Sequence, residues 1–132
     1  MGDAVTPGIE LKVMDWELSI CRLDRLPDAS VLQRSPCFLG LTDDEVSLVC
    51  ETRAAPRDTV ERDDGWRAFR VSGTLDLSLV GVLRGIADVL ADIGVPVFVV
   101  STYDTDYVLV KEGFLDRALD ALSAAGYAVV RD

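Results

Sequence analysis

The sequence predicts an α+β fold, and three observations carry that prediction. Two stretches with apolar residues at helical spacing alternate with short apolar runs of strand length. Both helical stretches stop at a glycine, Gly94 and Gly126. The resulting order over residues 66–132 is β-α-β-β-α-β, the ferredoxin-like split, with an antiparallel four-stranded sheet and two helices on one face.

Taken in order, LKVMDWELSICRL (11–23) reads as one strand. DRLPDASVLQRSP carries Pro27 and Pro36 and has room for only about one or two helical turns. FLGLTDDEVSLVCE (38–51) reads as strand, acidic turn and strand. TRAAPRDTVERDDG (52–65) is polar and proline-containing and reads as a linker, with Asp63 and Asp64 in a solvated turn. WRAFRVSG is the next strand, ending at Gly73. LVGVLRGIADVLADIG then sets Leu79, Val82, Leu83, Ile86, Leu90 and Ile93 on one helical face, with Pro96 just beyond. VPVFVVST and DYVLV are apolar strands, and Leu115, Ala118, Leu119 and Leu122 form the inner face of a second helix. YAVV (127–130) closes the series. FLGLTDDEVSLVCE resembles FVVSTYDTDYVLVKE with one residue of length difference, so the chain reads as a tandem. Residues 1–60 form an abbreviated module and 61–132 a complete one.

Charge removes several function classes. Among 132 residues, 23 are acidic and 13 basic, giving a net charge of −10, and Lys12 and Lys111 are the only lysines. Nucleic-acid binding depends on neutralising phosphates with Lys and Arg, so a nucleic-acid partner is not expected. Histidine is absent, which removes Ser–His and Cys–His nucleophile pairs and imidazole metal ligation. Cys21, Cys37 and Cys50 are too irregularly spaced for a disulfide framework or a zinc motif, and Cys21 and Cys50 sit in apolar runs that favour burial. Neither a signal-peptide pattern nor an apolar run of membrane length is present, so the expectation is a cytoplasmic protein with no membrane partner.

The polar cluster STYDTDYVLV (101–110) sets Asp104 and Asp106 among hydroxyls and tyrosines. Acid/base pair, metal site, ligand-gripping strand end and solvated hairpin tip are all open readings of it. Calcium-loop spacing is missing, and so is any nucleophile signature, which leaves ligand recognition and hairpin tip as the leading two. In the ligand reading Asp106 grips a cationic group through charge-assisted hydrogen bonds. The segment 74–81 enters a helix N-terminus, where free N–H groups favour a carboxylate and Asp76 or Ser78 can cap. Asp76 could instead pair with an α-ammonium. Gly81 would allow either close backbone approach or tight helix–sheet packing.

GTLDLSLVGVLRGIADVLADIGVPVFVVSTYDTDYVLVKEGFLDRALDALSAAGY resembles the C-terminal module of small bacterial tandem ACT-domain proteins. These are relatives of the aspartate-kinase regulatory modules and of the animal arginine-sensing ACT-tandem proteins. WELSICRL and TDDEVSLVCE match the N-terminal half of that plan more briefly. The resemblance implies a non-catalytic regulatory protein without cofactor or metal, binding a small molecule, an amino acid, at an ACT–ACT interface. A homodimer and a regulated protein partner are implied as well. Its site residues would be Thr74, Leu75, Asp76, Leu77, Ser78 and Gly81 from the first loop, with Ser101, Thr102, Tyr103, Thr105 and Asp106 from the strand end. The alternative is a structural, protein-interaction module that has kept no ligand.

Overall fold

In the computed structural model, which describes residues 9–73 and 79–131, the first expected strand is two. β1 (Ile9–Val13) and β2 (Leu18–Leu23) are separated at Met14–Glu17 and pair with different neighbours. There follow α1 (Ala29–Leu32), β3 (Cys37–Leu41), β4 (Val46–Glu51), β5 (Glu61–Gly73), α2 (Leu79–Asp92), β6 (Phe98–Ser101), β7 (Asp106–Lys111), α3 (Leu115–Ala124) and β8 (Ala128–Val130). Short 3-10 turns follow β4 and β7, at Thr52–Ala54 and Glu112–Phe114. The β-α-β-β-α-β order expected after residue 66 is β5-α2-β6-β7-α3-β8.

The chain divides into two compact units, one of residues up to Asp15 with those from Arg67 onward, the other Trp16–Trp66. They interleave along the sequence, whereas the reading above divides it into consecutive pieces at 60/61. The reason is β1, which pairs antiparallel with β5 (Ile9 opposite Gly73, Val13 opposite Phe69) and parallel with β8 (Glu10 opposite Ala128, Lys12 opposite Val130). β7 pairs with β5 and β6, so strands in this unit run β8-β1-β5-β7-β6. A four-stranded antiparallel sheet was expected. β1 makes it five-stranded and mixed by taking the place beside β5 and moving β8 one position outward. Among the described residues β6 pairs with β7 alone and is an edge strand of this sheet.

The core of this unit follows the periodicities of its elements. Ile9, Leu11 and Val13 from β1 meet Phe69 and Val71 from β5, Val108 and Val110 from β7, Val82, Ile86 and Leu90 from α2, and Leu115, Ala118, Leu119 and Leu122 from α3. Both helices end the same way. Gly94 takes φ 72° and Gly126 φ 105°, and the next residue's N–H reaches back to Leu90 (2.9 Å) or Leu122 (3.1 Å). This pattern satisfies terminal carbonyls and needs a left-handed residue that glycine supplies without strain. Gly85, on α2, is where the helix is tightly packed, since a Cβ there would meet the Tyr127 hydroxyl at 2.6 Å.

The unit Trp16–Trp66 is a sheet in the order β3-β4-β2-β5, using the first residues of β5. Its single α-helix is the four-residue α1, the short helical turn expected between the two prolines. The segment expected to be a linker turns into strand at Glu61. Between Leu18–Trp66 and Ile20–Asp63 the register shifts by a bulge, which Gly65 accommodates at φ 85°. Asp64, expected in a solvated turn, is exposed but lies in β5, where it accepts the buried Ser19 hydroxyl at 2.5 Å and the Arg62 Nε–H at 2.7 Å. Charged strand residues are legible only as loop when pairing is invisible. Cys21, Leu23, Leu48 and Cys50 form the apolar centre of this unit.

The two helical glycines should respond oppositely to alanine. At Gly81 a Cβ meets nothing within 4 Å among the described residues, so Gly81→Ala should gain up to about 1 kcal/mol of helix propensity. Gly85→Ala should lose about 1–3 kcal/mol by overpacking against Tyr127. Opposite displacements of the urea midpoint at constant slope check this.

Candidate functional site at the β6–β7 turn

The candidate site is built on a tight hairpin. β6 and β7 pair antiparallel with Ser101 opposite Asp106, leaving Thr102–Thr105 as the connection. Thr102 closes it, its N–H donating to the Thr105 carbonyl at 2.8 Å and its hydroxyl to the same oxygen at 3.2 Å. Threonine suits that place because its hydroxyl reaches nearby backbone.

Within this turn the acidic residues part company. Asp104 is exposed beside Tyr103, whose side chain lies wholly in solvent. Asp106 is only 3% exposed, and its carboxylate accepts the Ser101 hydroxyl at 2.5 Å. A two-carboxylate acid/base or metal arrangement is therefore not assembled here. The hairpin-tip reading describes Tyr103 and Asp104 but not Asp106. Thr105 points the other way, its hydroxyl donating to the Val71 carbonyl on β5. Through that bond the turn is tied to β5 three residues before Thr74.

The structure thus brings Ser101, Thr102, Thr105 and Asp106 together and leaves Tyr103 apart in solvent. Gly81 lies exposed in the first turn of α2. With no neighbour for a Cβ there among the described residues, helix–sheet packing does not explain Gly81; that role falls to Gly85. Thr74, Leu75, Asp76, Leu77 and Ser78, with the expected capping by Asp76 or Ser78, lie outside the described residues. The Val71 carbonyl escaped the sequence reading because a backbone acceptor leaves no mark in residue type.

The β3–β4 hairpin repeats the turn. Thr42 N–H donates to the Glu45 carbonyl at 3.1 Å, and a 3-10 turn again follows the second strand. The two hairpins correspond without a gap from Thr42/Thr102 to Glu51/Lys111, so the length difference inferred from sequence disappears. Leu41 and Val46 stand where Ser101 and Asp106 stand, and the buried hydroxyl–carboxylate pair has no counterpart. A groove of about 320 Å³ beside this turn is lined by Arg22, Asp24, Asp43, Asp44 and Glu45 among others.

Cys21 and Cys50 are buried and Cys37 is half-buried. Cys50 lies opposite Cys37 across β3–β4. Its hydrogen bond with Cys21, then burial, push its thiol up, while the same bond lowers Cys21. Burial also raises Cys37. Among the described residues no group of three Cys, Asp or Glu is placed to hold a metal ion, and no helix is long and apolar enough to cross a membrane.

The ACT-domain family model matches residues 61–124, from the first residue of β5 to the last of α3. A solved Agobacterium tumefaciens protein, a structural-genomics target, is 30% identical over 96% of both chains, with a TM-score of 0.86. Residues 61–124 are an ACT domain. Two further likenesses, both under 25% identical, establish fold alone. One is a Vibrio cholerae protein of unknown function described as a possible transport protein (18% identity, 89% and 90% coverage, TM-score 0.72). The other is the regulatory subunit of aspartate kinase from Thermus thermophilus in its ligand-free form (14% identity, 93% and 99% coverage, TM-score 0.62). Comparison with the curated proteins gives no match. In this ACT domain the matched stretch contains the whole turn and the β5 residues to which it is tied.

Thr105→Val keeps the shape of the side chain and removes its bond to Val71. The expected loss is about 1 kcal/mol in chemical denaturation. An unchanged midpoint would show that the turn does not depend on that tie.

Proposed function

We propose that the chain is a non-catalytic regulatory module that binds a small molecule, an amino acid, at the β6–β7 strand end. The ligand lies between Ser101, Thr102, Tyr103, Thr105 and Asp106 and the segment of Thr74, Asp76, Leu77, Ser78 and Gly81. The observation that carries this reading is Asp106. A carboxylate withdrawn from water is unfavourable unless compensated, and its hydrogen-bond partner among the described residues is a neutral hydroxyl. A ligand ammonium would supply the missing positive charge. The tie from Thr105 to Val71 supports the same place, because it holds the turn near the chain's entry into 74–78. On this proposal the unit Trp16–Trp66 is an abbreviated ACT-like copy, making the protein a tandem. With apolar residues where Ser101 and Asp106 would be, it holds no equivalent site.

A screen of the twenty amino acids by thermal shift, on protein refolded free of ligand, tests this. At ten times Kd, binding adds about 1.4 kcal/mol, which is several degrees for a domain of this size. At least one amino acid should give that shift, and Asp106→Asn should lose it. No response at millimolar concentrations would leave the interaction module as the better account.

A homodimer through β6 is the accompanying proposal. β6 is an edge strand with Val99 36% exposed and Val97, just before it, 37% exposed, and an unpaired apolar edge favours a second strand. Two copies joined edge to edge by a two-fold axis would bury these residues. Light scattering after size exclusion should give twice the chain mass, and Val99→Lys should give the monomer. A monomeric parent chain would overturn the dimer without touching the ligand reading.

A further inference from the structure

Three segments of the unit that holds β1, β8 and the later part of β5 meet at one corner. β1 and β8 run parallel with Lys12 opposite Val130, so the residues following each strand emerge at the same end. β1 and β5 run antiparallel with Val13 opposite Phe69, and Met14 N–H donates to the Ala68 carbonyl at 2.9 Å. Arg67 is thereby set beside Met14 and Asp15. Between them lies a cavity of about 260 Å³ lined by Val13, Met14, Asp15, Arg67 and Arg131.

Arg67 shares the strand face of Phe69 and Val71, which holds its stem half-buried at the end of an apolar row. One terminal nitrogen, Nη2, donates to the Met14 carbonyl at a long 3.4 Å. Its Nε is out of contact with solvent and has no partner among the described residues. A buried donor left unpaired is unfavourable, and a ligand that accepts from it removes the penalty. Arg131 is exposed and its contact with Asp116, at 3.4 Å, is loose and solvated. Two guanidinium groups thus meet at one small cavity in a chain of net charge −10.

We propose that this cavity binds a small carboxylate that also carries a hydrogen-bond donor. Two arginines and one aspartate leave the lining with one net positive charge, which matches a monoanion better than a phosphate dianion. The planar guanidinium fork pairs with both oxygens of a carboxylate, and Asp15 accepts from the ligand's hydroxyl or ammonium. The site uses none of residues 101–106 and stands apart from the strand-end reading.

The test is NMR on the full ¹⁵N-labelled chain, following the Arg67 Nε–H and the Asp15 and Arg67 amides at constant ionic strength. Glycolate, a carboxylate with a hydroxyl, should shift these signals saturably at millimolar concentration. Propionate, which lacks the donor, should bind at least threefold more weakly. Arg67→Gln and the exposed Arg131→Gln should each weaken glycolate at least tenfold, the second without risk to folding. Shifts no different from those of added chloride would overturn the proposal, as would an unchanged affinity in Arg131→Gln. Tighter binding of inorganic phosphate than glycolate would overturn the carboxylate assignment. Shifts confined to residues 101–106 would overturn this site while leaving the strand-end reading in place.

Discussion

The pairing of β1 with β5 is the interaction on which the rest of the ACT unit depends. Five consecutive residue pairs, from Ile9–Gly73 to Val13–Phe69, place a strand from the chain's beginning next to the first strand of the β-α-β-β-α-β series. Ile9, Leu11 and Val13 then enter the core with at most 6% exposure each. At about 1.5–3 kcal/mol per buried aliphatic side chain, their contribution is of the order of a small domain's whole net stability. A module cut at residue 61 would expose Phe69 and Val71 on one side and leave β8 without its partner.

The same pairing sets the geometry of both candidate sites. By occupying one side of β5 it leaves the other to β7, and so positions the β6–β7 turn where Thr105 can reach the Val71 carbonyl. By moving β8 outward into parallel alignment with β1, it directs Asp15 and Arg131 to the same corner as Arg67. In an unmodified four-stranded sheet β8 would lie directly beside β5 and no third segment would come between them.

Much of this was legible in residue order because it depends on local chemistry. The α2 and α3 faces, their glycine stops and the Thr-initiated turns are dictated by periodicity, by the left-handed residue a helix end requires and by a hydroxyl within reach of nearby backbone. Other features were hidden for identifiable reasons. Glu61–Asp64 are charged and look like loop, yet they form strand because β2 offers them partners and Gly65 absorbs the bulge. VPVFVV is apolar throughout, yet among the described residues β6 pairs with one neighbour alone, since apolar sequence reports burial preference and not the number of neighbours.

By itself, then, the sequence determined the α+β class, the helices with their inner faces, the two hairpins with equivalent turns, and Asp106 as the residue to watch. The absence of histidine also removed histidine-based nucleophile pairs and imidazole metal ligation. Only the tertiary structure decided that β1 separates β5 from β8, that Asp106 is buried against Ser101 while Asp104 is solvated, and that Arg67 and Arg131 share a cavity. Those outcomes turn on hydrogen bonds between strands far apart in the chain. Such pairing depends on register and topology, which no short stretch of residues encodes.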